Sequence, residues 1–308
     1  MPTIASIGGT TLDRRARAHE PLIKGTSNPA TVTTRPGGVA RNVADWLSQL
    51  GVDVALYSAM GDDRVAYDLL RELATKGVDV SGVHRSSEHL TATYTAALEP
   101  DGELALGLAD MEIFEELDAD WCDTIAPAIE QCPIWLVDAN LPRATLDYLL
   151  NTYGDQATIV ADPVSVAKAE RLRPFLDAVD VVVPDRKEAA VLSGQLTETP
   201  EQVAAAAAQI WELGPGTVIV TLGSDGIYLE DGTRHQALPA TAAKDVSDVT
   251  GAGDALVAGY LFGLVTDHTD PIACGLAAAS LALEVNAGLI AGMTVERLVE
   301  RVMGDSED

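Results

Sequence analysis

The sequence predicts an α/β fold in which a mostly parallel central sheet is flanked by helices, with a small β lid beside it. Short apolar runs alternate with helical patterns through the second half of the chain, which is typical of parallel strands covered on both faces. Polar residues follow each run, and ligands of such folds gather at the carboxyl ends of the strands. Two glycine-containing turns, far apart in the chain, each lead into a helical pattern, which suggests two halves of one cleft.

Length and composition fit a single domain. The 308 residues are 47% hydrophobic, which is enough for a sizeable core. No internal repeat and no linker rich in Gly, Pro or Ser is visible in the sequence. We therefore expect one domain over residues 1–308, with lid segments at approximately 12–35 and 91–110.

Charge is the most unusual property of the composition. Twenty Lys and Arg residues stand against 47 Asp and Glu residues, for a formal net charge of −27. This balance argues against nucleic acid and anionic membranes as partners. A polyphosphate substrate would need local positive potential from backbone dipoles, an arginine or a metal ion. The many acids would suit a high-salt cytoplasm, where screening cancels self-repulsion.

The cysteines and the apolar segments predict a cytoplasmic protein. Cys122, Cys132 and Cys274 are odd in number and lack zinc-type spacing, which indicates reduced, mostly structural thiols. The N-terminus lacks the basic and apolar regions of a secretory signal. The most apolar long segment, 272–292, is interrupted by polar residues, so a buried helix followed by a loop explains it better than a membrane span.

The first elements lie in the N-terminal fifty residues. An apolar run over 3–9 predicts a buried strand that ends in two glycines. Asp13 follows this strand end, where an acid could hold substrate hydroxyls, with a loop aspartate as an equal alternative. Residues 14–35 are polar and irregular, like a flap outside the main sheet. A Gly-Gly turn then leads into a helix over 39–50, in which Asn42 can offer donors and an acceptor to a sugar.

The next elements include the rest of the predicted lid. Residues 53–60 form a predicted strand and residues 64–75 an amphipathic helix. Residues 91–98 and 103–108 alternate between apolar and polar types around Pro-Asp-Gly, which predicts a hairpin. This hairpin and the flap could form a lid that keeps water out during a group transfer.

Four apolar runs then alternate with helical patterns. Each is short enough for a strand and has polar residues at its carboxyl end, which predicts a parallel sheet. The four predicted strands are 134–137, 158–161, 179–183 and 217–221, and a short hairpin follows the last one.

The main functional signal is the run Val-Ser-Asp-Val-Thr-Gly-Ala-Gly-Asp over residues 246–254, which leads into an apolar helical segment. Backbone N–H groups and the helix dipole attract an anion at a helix N-terminus, and glycine lets a phosphate approach closely. Asp254 would then accept a proton from a hydroxyl that attacks the phosphorus. On these residues alone, an ordinary tight turn with a favourable N-terminal aspartate explains the run equally well.

Three segments in order, 36–42, 221–226 and 248–254, resemble the ribokinase-like (PfkB) carbohydrate and nucleoside kinases. They contain Gly-Gly-Val-Ala-Arg-Asn, Thr-Leu-Gly-Ser-Asp-Gly and Thr-Gly-Ala-Gly-Asp, and the resemblance covers essentially the whole chain. It implies a ribokinase-like three-layer sandwich. Within the family, five short segments are most similar to the pseudouridine kinases, namely 27–29, 39–42, 110–111, 138–141 and 162–168.

The resemblance implies a reaction and a set of site residues. The γ-phosphoryl group of ATP would pass to the 5′-hydroxyl of pseudouridine, with Asp254 as the base. The backbone N–H groups of Gly251, Ala252 and Gly253 would hold the transferring oxygens. Lys168 is interpreted as a solvated helix lysine, with a contact to substrate or phosphate as the alternative. The residues expected at the ribose and base are Asp13, Asn28, Gly38, Asn42, Met111 and Asn140.

Further positions are expected at the metal ions and the nucleotide. Glu188, with Asp185, would position Mg²⁺ through water, and Asp248 and Thr250 stand where family members bind potassium. The family usually has Asn-x-x-Glu at this place, whereas this chain has Asp-Arg-Lys-Glu over residues 185–188. Compared with asparagine, the aspartate keeps oxygen acceptors, loses the amide donors and adds a negative charge. The residues expected around ATP are Thr221, Gly223, Gly226 and Asn286, the last near the adenine.

Two alternatives stay open at this point. One is another kinase of the same fold, acting on ribose, fructose, a keto-deoxy sugar acid or adenosine. The other is a protein that binds a nucleoside without chemistry, against which the intact Gly-Ala-Gly-Asp run argues. The resemblance also allows a homodimer through the lid, and a lid that covers only its own active site is the alternative.

Overall fold

The computed structural model describes residues 2–244, 246, 249–266, 270–286 and 292–304. Its helices are α1 (Val39–Gln49), α2 (Arg64–Thr75), α3 (Ala119–Ile129), α4 (Arg143–Tyr153), α5 (Val166–Leu172), α6 (Arg186–Ser193), α7 (Pro200–Glu212), α8 (Ala252–Val265), α9 (Pro271–Asn286) and α10 (Val295–Gly304). Its strands are β1 (Ile4–Ile7), β2 (Thr11–Ala18), β3 (Ala30–Gly37), β4 (Val54–Tyr57), β5 (Ala59–Gly61), β6 (His84–Ser86), β7 (Thr93–Leu98), β8 (Leu104–Asp110), β9 (Ile134–Asp138), β10 (Thr158–Asp162), β11 (Val181–Val182), β12 (Thr217–Thr221), β13 (Ile227–Glu230) and β14 (His235–Leu238).

The central sheet confirms the predicted fold class. Its strand order is β14-β13-β12-β11-β10-β9-β1-β4. The strands from β12 to β4 pair in parallel, and β13 and β14 add an antiparallel edge. The carboxyl ends of the parallel strands therefore meet along one edge of the sheet, as the alternating sequence pattern predicts.

Helices cover both faces of this sheet, because successive strand residues point to opposite sides. Ile4 belongs to the hydrophobic cluster that contains residues of α1, α2, α8, α9 and α10, whereas its neighbour Ala5 belongs to the cluster that contains residues of α3 to α7. Leu136 and Trp135 divide between the two clusters in the same way. Burial on both faces explains why these strands are continuous apolar runs.

The lid is a second sheet with the order β3-β2-β7-β8. The hairpin predicted over 91–108 is present as β7 and β8. Residues 14–35, expected as a polar and irregular flap of the β lid, contribute most of β2 and β3. The bounds of these strands were not predicted, because β2 pairs with β7, more than seventy residues away, and that ladder stabilises strands whose own sequence is polar.

No helix in the described part of the chain is long and apolar enough to cross a membrane. Residues 272–286 of the apolar segment belong to α9, a largely buried helix.

Candidate active site

The candidate site lies where the carboxyl ends of the central strands meet the N-termini of α1 and α8. Gly38 brings α1 to this place. Its φ is 93°, and a Cβ there would lie 2.3 Å from the backbone oxygen of Gly9, which follows β1. Only glycine allows such a φ together with such a close approach. The turn therefore presses the start of α1, with Asn42 in its second turn, against the end of β1.

Asp254 meets α1 from the other side. Gly251 caps α8 in a left-handed conformation, so Asp254 falls in the first helical turn. The Asn42 Nδ2 donates to Asp254 Oδ2 at 2.8 Å, across 212 residues of sequence. The two glycine-opened helices thus form one site, and the side chains of Asn42 and Asp254 make the contact between them.

Burial is the main reason that the pKa of Asp254 is raised, to about 6. The hydrogen bond from Asn42 and the positive charge of Arg41 lower this pKa, whereas the carboxylates of Asp138 and Asp13 raise it. A carboxylate with a pKa near 6 is mostly ionised at neutral pH and is still a useful proton acceptor.

Asp138 organises the floor of the site. It is fully buried at the end of β9, and its carboxylate accepts from the backbone N–H groups of Gly9 and Ala40, both at 2.9 Å, and of Asn140 at 2.8 Å. Three segments are thereby tied to one anion. Burial nevertheless outweighs these bonds and raises the pKa of Asp138. Asp138 was not predicted as a site residue, although an acid at the end of a buried strand was the available signal.

Lys168 corrects an expectation. Its side chain was interpreted as solvated, but Lys168 is half-buried and its Nζ donates to Asn140 Oδ1 and lies 3.2 Å from Met111 Sδ. Burial lowers the pKa of Lys168, and the nearby carboxylates of Asp138 and Asp13 oppose that shift. The structure thus brings Met111, Asn140 and a lysine together close to the acids of the site.

Asp13 and Asn28 occupy different places in the lid. Asp13 lies on β2 and accepts from Thr11 Oγ1 at 2.9 Å, and burial raises the pKa of its carboxyl group. Asp13 influences both Asp254 and Lys168 electrostatically. Asn28, by contrast, binds the backbone of its own loop, because its amide bonds to Ile23 and Thr26.

A cavity of about 780 Å³ adjoins the N-terminus of α8. Its volume falls in the range typical of small-molecule sites. Apolar side chains from the β14–α8 connection, α8 and α9 form much of its wall. Several of the predicted nucleotide, anion-hole and metal positions line it, namely Thr221, Gly223, Gly226, Ala252, Gly253 and Asp185.

Thr250 connects three parts of the molecule beside this cavity. Its Oγ1 accepts from Arg15 of the lid at 2.8 Å, and its backbone oxygen accepts from Asn286 Nδ2 at 2.8 Å. Asn286, expected near the adenine, therefore bonds to the loop that precedes α8. The other predicted potassium ligand, Asp248, lies outside the described residues.

Asp185 and Glu188 form a capping box at the start of α6. Asp185 Oδ1 accepts from the Glu188 N–H at 2.7 Å, and Glu188 Oε2 accepts from the Asp185 N–H at 2.8 Å. This box uses one oxygen of each carboxylate, so the residue set fits a hard cation held through water. Burial and the charge of Asp185 raise the pKa of Glu188 to about 7, with the bond from the Asp185 N–H opposing. In the described part of the chain, no group of three or more His, Cys, Asp or Glu side chains is arranged to hold a metal ion directly.

Two arginines of the site, Arg15 and Arg41, were given no role in the site from the sequence, although Arg41 is part of the segment 39–42 that carries the resemblance. Arg15 shares the β2 face with Asp13 because the two are two residues apart, and this spacing was the available signal. Arg41 is 5% exposed and its Nη1 donates to Asn42 Oδ1 at 3.2 Å. A charged residue between the apolar positions Val39 and Val43 of an amphipathic helix is the corresponding signal for Arg41.

Comparison with known proteins gives consistent results. The model of the pfkB family carbohydrate kinases matches residues 1–291. The pseudouridine kinase of Escherichia coli (strain K12) is 31% identical over 256 residues, which is 83% of this chain and 82% of that protein. The guanosine-inosine kinase of Exiguobacterium acetylicum is 25% identical, with 97% and 99% coverage. A ribokinase structure from Arabidopsis thaliana, complexed with ribose and ATP, has a TM-score of 0.85 at 22% identity and covers 98% of both chains; this likeness concerns the fold alone.

Proposed function

The chain belongs to the pfkB family of carbohydrate kinases, and on that premise we propose that it phosphorylates the 5′-hydroxyl of pseudouridine with ATP. Membership of the family makes the chain a phosphotransferase with a hydroxyl acceptor and ATP as co-substrate. Pseudouridine as the substrate is the step beyond, supported by the 31% identity with a pseudouridine kinase.

One observation carries the proposed chemistry. The bond between Asn42 and Asp254 lies at the N-terminus of α8, whose residues Ala252 and Gly253 line the 780 Å³ cavity. The carboxylates of Asp138 and Asp13 influence both Asp254 and Lys168, which belongs to a polar cluster around Asn140. A nucleotide in the cavity and a nucleoside in the polar cluster would meet at Asp254. Such alignment provides much of what phosphoryl transfer requires from a protein.

In the proposed mechanism Asp254 accepts the proton of the 5′-hydroxyl as its oxygen forms a bond to the γ-phosphorus. The bond between that phosphorus and the ADP oxygen breaks, so the products are the 5′-phosphate, ADP and a proton. The N–H groups of Gly251, Ala252 and Gly253 would stabilise the transferring oxygens, an effect worth about 2.7–4 kcal/mol per donor in comparable sites. Lid residues Asp13 and Arg15 would close the site against water.

Metal ions would support this chemistry through residues already described. We propose that Asp185 and Glu188 hold Mg²⁺ through water, where the ion would neutralise phosphate charge. Thr250, with Asp248, is proposed for potassium by analogy with the family. Asn28 stays a proposed substrate residue that would need a movement of its loop, and Asn286 a proposed nucleotide residue.

The contacts of Lys168 favour a nucleobase over a bare sugar. Its ammonium group can donate to a ring carbonyl, Asn140 can bond to a ring N–H or carbonyl, and Met111 supplies an apolar contact. Pseudouridine carries a ring N–H where uridine carries its sugar. A site that hydrogen-bonds this group can reject uridine strongly.

The decisive test is ADP release with ATP and a panel of acceptors. We expect kcat/KM for pseudouridine to exceed that for uridine, ribose, adenosine and guanosine by about 100-fold or more. A preference for ribose or another sugar would overturn the substrate assignment and leave the kinase chemistry. Calorimetric binding of pseudouridine without release of ADP would instead indicate a nucleoside-binding protein.

Two lysine variants test the division of the site. Lys168→Met should raise KM for pseudouridine and leave KM for ATP unchanged, because Lys168 belongs to the polar cluster. Lys187→Met is the matched control, since Lys187 lines the cavity and its loss should change KM for ATP instead. An unchanged KM for pseudouridine in Lys168→Met would remove the lysine from the base site.

A second candidate is a kinase for guanosine and inosine. The Exiguobacterium acetylicum relative covers almost the whole chain, although at lower identity. Because a purine is larger than the pseudouridine ring, a base site shaped for a purine should favour guanosine. Guanosine turnover above that of pseudouridine in the same panel would therefore select this alternative.

We also propose that the protein is a cytoplasmic homodimer joined through its lid. On β8, Leu106 and Leu108 are 56% and 58% exposed. The strand register places Leu106 on the same face as Val32 of β3, which is 60% exposed. An exposed apolar sheet face is typical of an interaction site. The buried free thiols of the three cysteines suit a reducing compartment.

Light scattering after size exclusion tests this assembly. The wild-type protein should have the mass of a dimer, and Leu106→Lys should have the mass of a monomer. Leu196→Lys is the control, because Leu196 is 64% exposed and lies outside the lid. A monomeric wild-type protein would contradict the lid dimer.

A further inference from the structure

The proposed base depends on which way one side-chain amide points. Asp254 accepts a hydrogen bond from the NH₂ group of Asn42 at 2.8 Å. The reversed amide would instead present its oxygen to the carboxylate, and two acceptors would face each other without a proton between them. The carboxylate of Asp254 thus favours the observed orientation, and a neighbour that donates to the amide oxygen would strengthen it.

Arg41 is that neighbour. Its Nη1 donates to Asn42 Oδ1 at 3.2 Å. Because a guanidinium group has donors and no acceptor, it can form a hydrogen bond only with the oxygen end of the amide. The nitrogen end is then directed toward Asp254. An amide orientation is defined by its hydrogen-bond partners, and here the partners on both ends agree.

Arg41 is itself held in place by α1 and α2. Its Nη2 lies 3.0 Å from Asp45 and 3.5 Å from Glu72, and both acids also bind Lys76. The fork of the guanidinium allows one nitrogen to contact Asn42 while the other contacts these carboxylates, which a lysine could not do. The chain of contacts from α2 to Asp254 is therefore continuous.

The burial of Arg41 supports a functional role. Its side chain is only 6% exposed, yet its buried Nε has no hydrogen-bond partner among the described residues. A buried donor without a partner lowers stability, so the helix pair alone is a poor reason for an arginine here.

We propose that Arg41 is a positioning residue that, by binding the oxygen of Asn42, keeps the amide nitrogen directed at Asp254 and so maintains Asp254 as an ionised base. This inference rests on the proposed function. The charged groups that face Asp254 are Arg41 of α1 and the acids Asp13, Asp138 and Asp162, from β2 and the ends of β9 and β10. Asp138 and Asp13 disfavour the Asp254 anion, whereas the hydrogen bond from Asn42 and the charge of Arg41 stabilise it.

The test compares pH profiles of Arg41→Met and Lys76→Met. Lys76 binds the same two acids, Asp45 and Glu72, but makes no bond to Asn42. With ATP and pseudouridine, Arg41→Met should move the acid limb of kcat upward by about one pH unit, as expected for the loss of a nearby opposite charge. Lys76→Met should leave this limb in place, even if both variants lose stability.

A second readout is independent of turnover. The ¹³C signal of the Asp254 carboxyl, assigned from its absence in Asp254→Asn, should titrate at higher pH in Arg41→Met than in the wild type and in Lys76→Met. Equal titration in all three proteins would overturn the role of Arg41. Near-normal turnover of Asp254→Asn would instead overturn the proposed base, so the two failures can be told apart.

Discussion

At the scale of single residues, Asp254 is subject to opposing demands. The proposed role as a base needs an ionised carboxylate, whereas burial and the nearby carboxylates of Asp138 and Asp13 favour the protonated form. Asn42 and Arg41 counter part of that pressure. The site therefore resembles other catalytic centres in which local stability is reduced so that a group of suitable basicity is available.

The raised pKa of Asp254 makes the stability of the folded protein depend on pH. The pKa of Asp254 is about 6 in the folded protein and 3.8 is its ordinary value. Because the folded-state pKa is raised, the group favours folding when protonated, and this contribution is lost as the pH rises through about 6. At pH 8 the ionised group should destabilise the fold by about 1–3 kcal/mol relative to a neutral one.

We therefore expect Asp254→Asn to lose turnover by about 10²–10⁴-fold and to be more stable than the wild type at pH 8. The stability difference should disappear below about pH 4. Urea unfolding at both pH values measures it, with Asp155→Asn as a control for the same change in net charge at an exposed position. Near-normal turnover would remove Asp254 from its role as the base. Equal stability of Asp254→Asn and the wild type at pH 8 would contradict the destabilising effect of the ionised Asp254.

At the scale of elements, turns and caps carry chemistry because they fix where helices begin. Gly38 and Gly51, at the two ends of α1, illustrate this. Both have positive φ, but a Cβ at Gly38 would meet the backbone at 2.3 Å, whereas one at Gly51 would meet nothing within 4 Å. Substitutions at both positions would force a side chain into a positive φ, but only a substitution at Gly38 would add a steric clash. The pair therefore distinguishes the two costs.

Gly51→Ala should lower the free energy of unfolding by about 1–2 kcal/mol, the usual cost of a left-handed alanine. Gly38→Ala should cost about 1–3 kcal/mol more, because the start of α1 must move away from β1. The same movement should separate Asn42 from Asp254 and abolish turnover. Urea unfolding and ADP release measure both effects, and similar losses in the two variants would contradict the packing argument.

Asp185 caps α6, and its proposed second role is to hold Mg²⁺ through water. Asn caps a helix as well as Asp, so Asp185→Asn should change stability by less than about 0.5 kcal/mol. Removing the carboxylate should nevertheless raise the Mg²⁺ concentration for half-maximal rate by about tenfold. Asp185→Ala, which also loses the cap, should in addition cost about 1 kcal/mol. A wild-type Mg²⁺ dependence in Asp185→Asn would exclude a role in holding the metal ion.

At the scale of the whole molecule, the formal charge of −27 dominates. Self-repulsion of this size opposes the compact state, and salt reduces it because the Debye length falls from about 10 Å at 0.1 M to 3 Å at 1 M. We expect the melting temperature to rise between 0.1 and 1 M KCl. Sucrose at matched osmolality is the control for excluded-solute effects, and a melting temperature that is flat or falls with KCl would contradict the screening argument.

Much of the molecule could be predicted from local patterns. Apolar runs, helical spacing and glycine turns determined the fold class, the bounds of α2 over 64–75, and Asp254 at a helix N-terminus, since each depends on neighbours within a few residues. The strand bounds within the flap over 14–35 could not be predicted, because the stability of these strands comes from pairing with the distant β7.

The sequence by itself thus determined which residues could do chemistry, because residue type, spacing and turn formation are local properties of the chain. Only the tertiary structure decided which of them meet. Asn42 and Asp254 are 212 residues apart, Asp138 ties three separate segments together, and the burial of Lys168 depends on packing around it. Contacts between side chains, their burial and their electrostatic coupling arise only when folding brings remote segments together. No local sequence pattern encodes that arrangement.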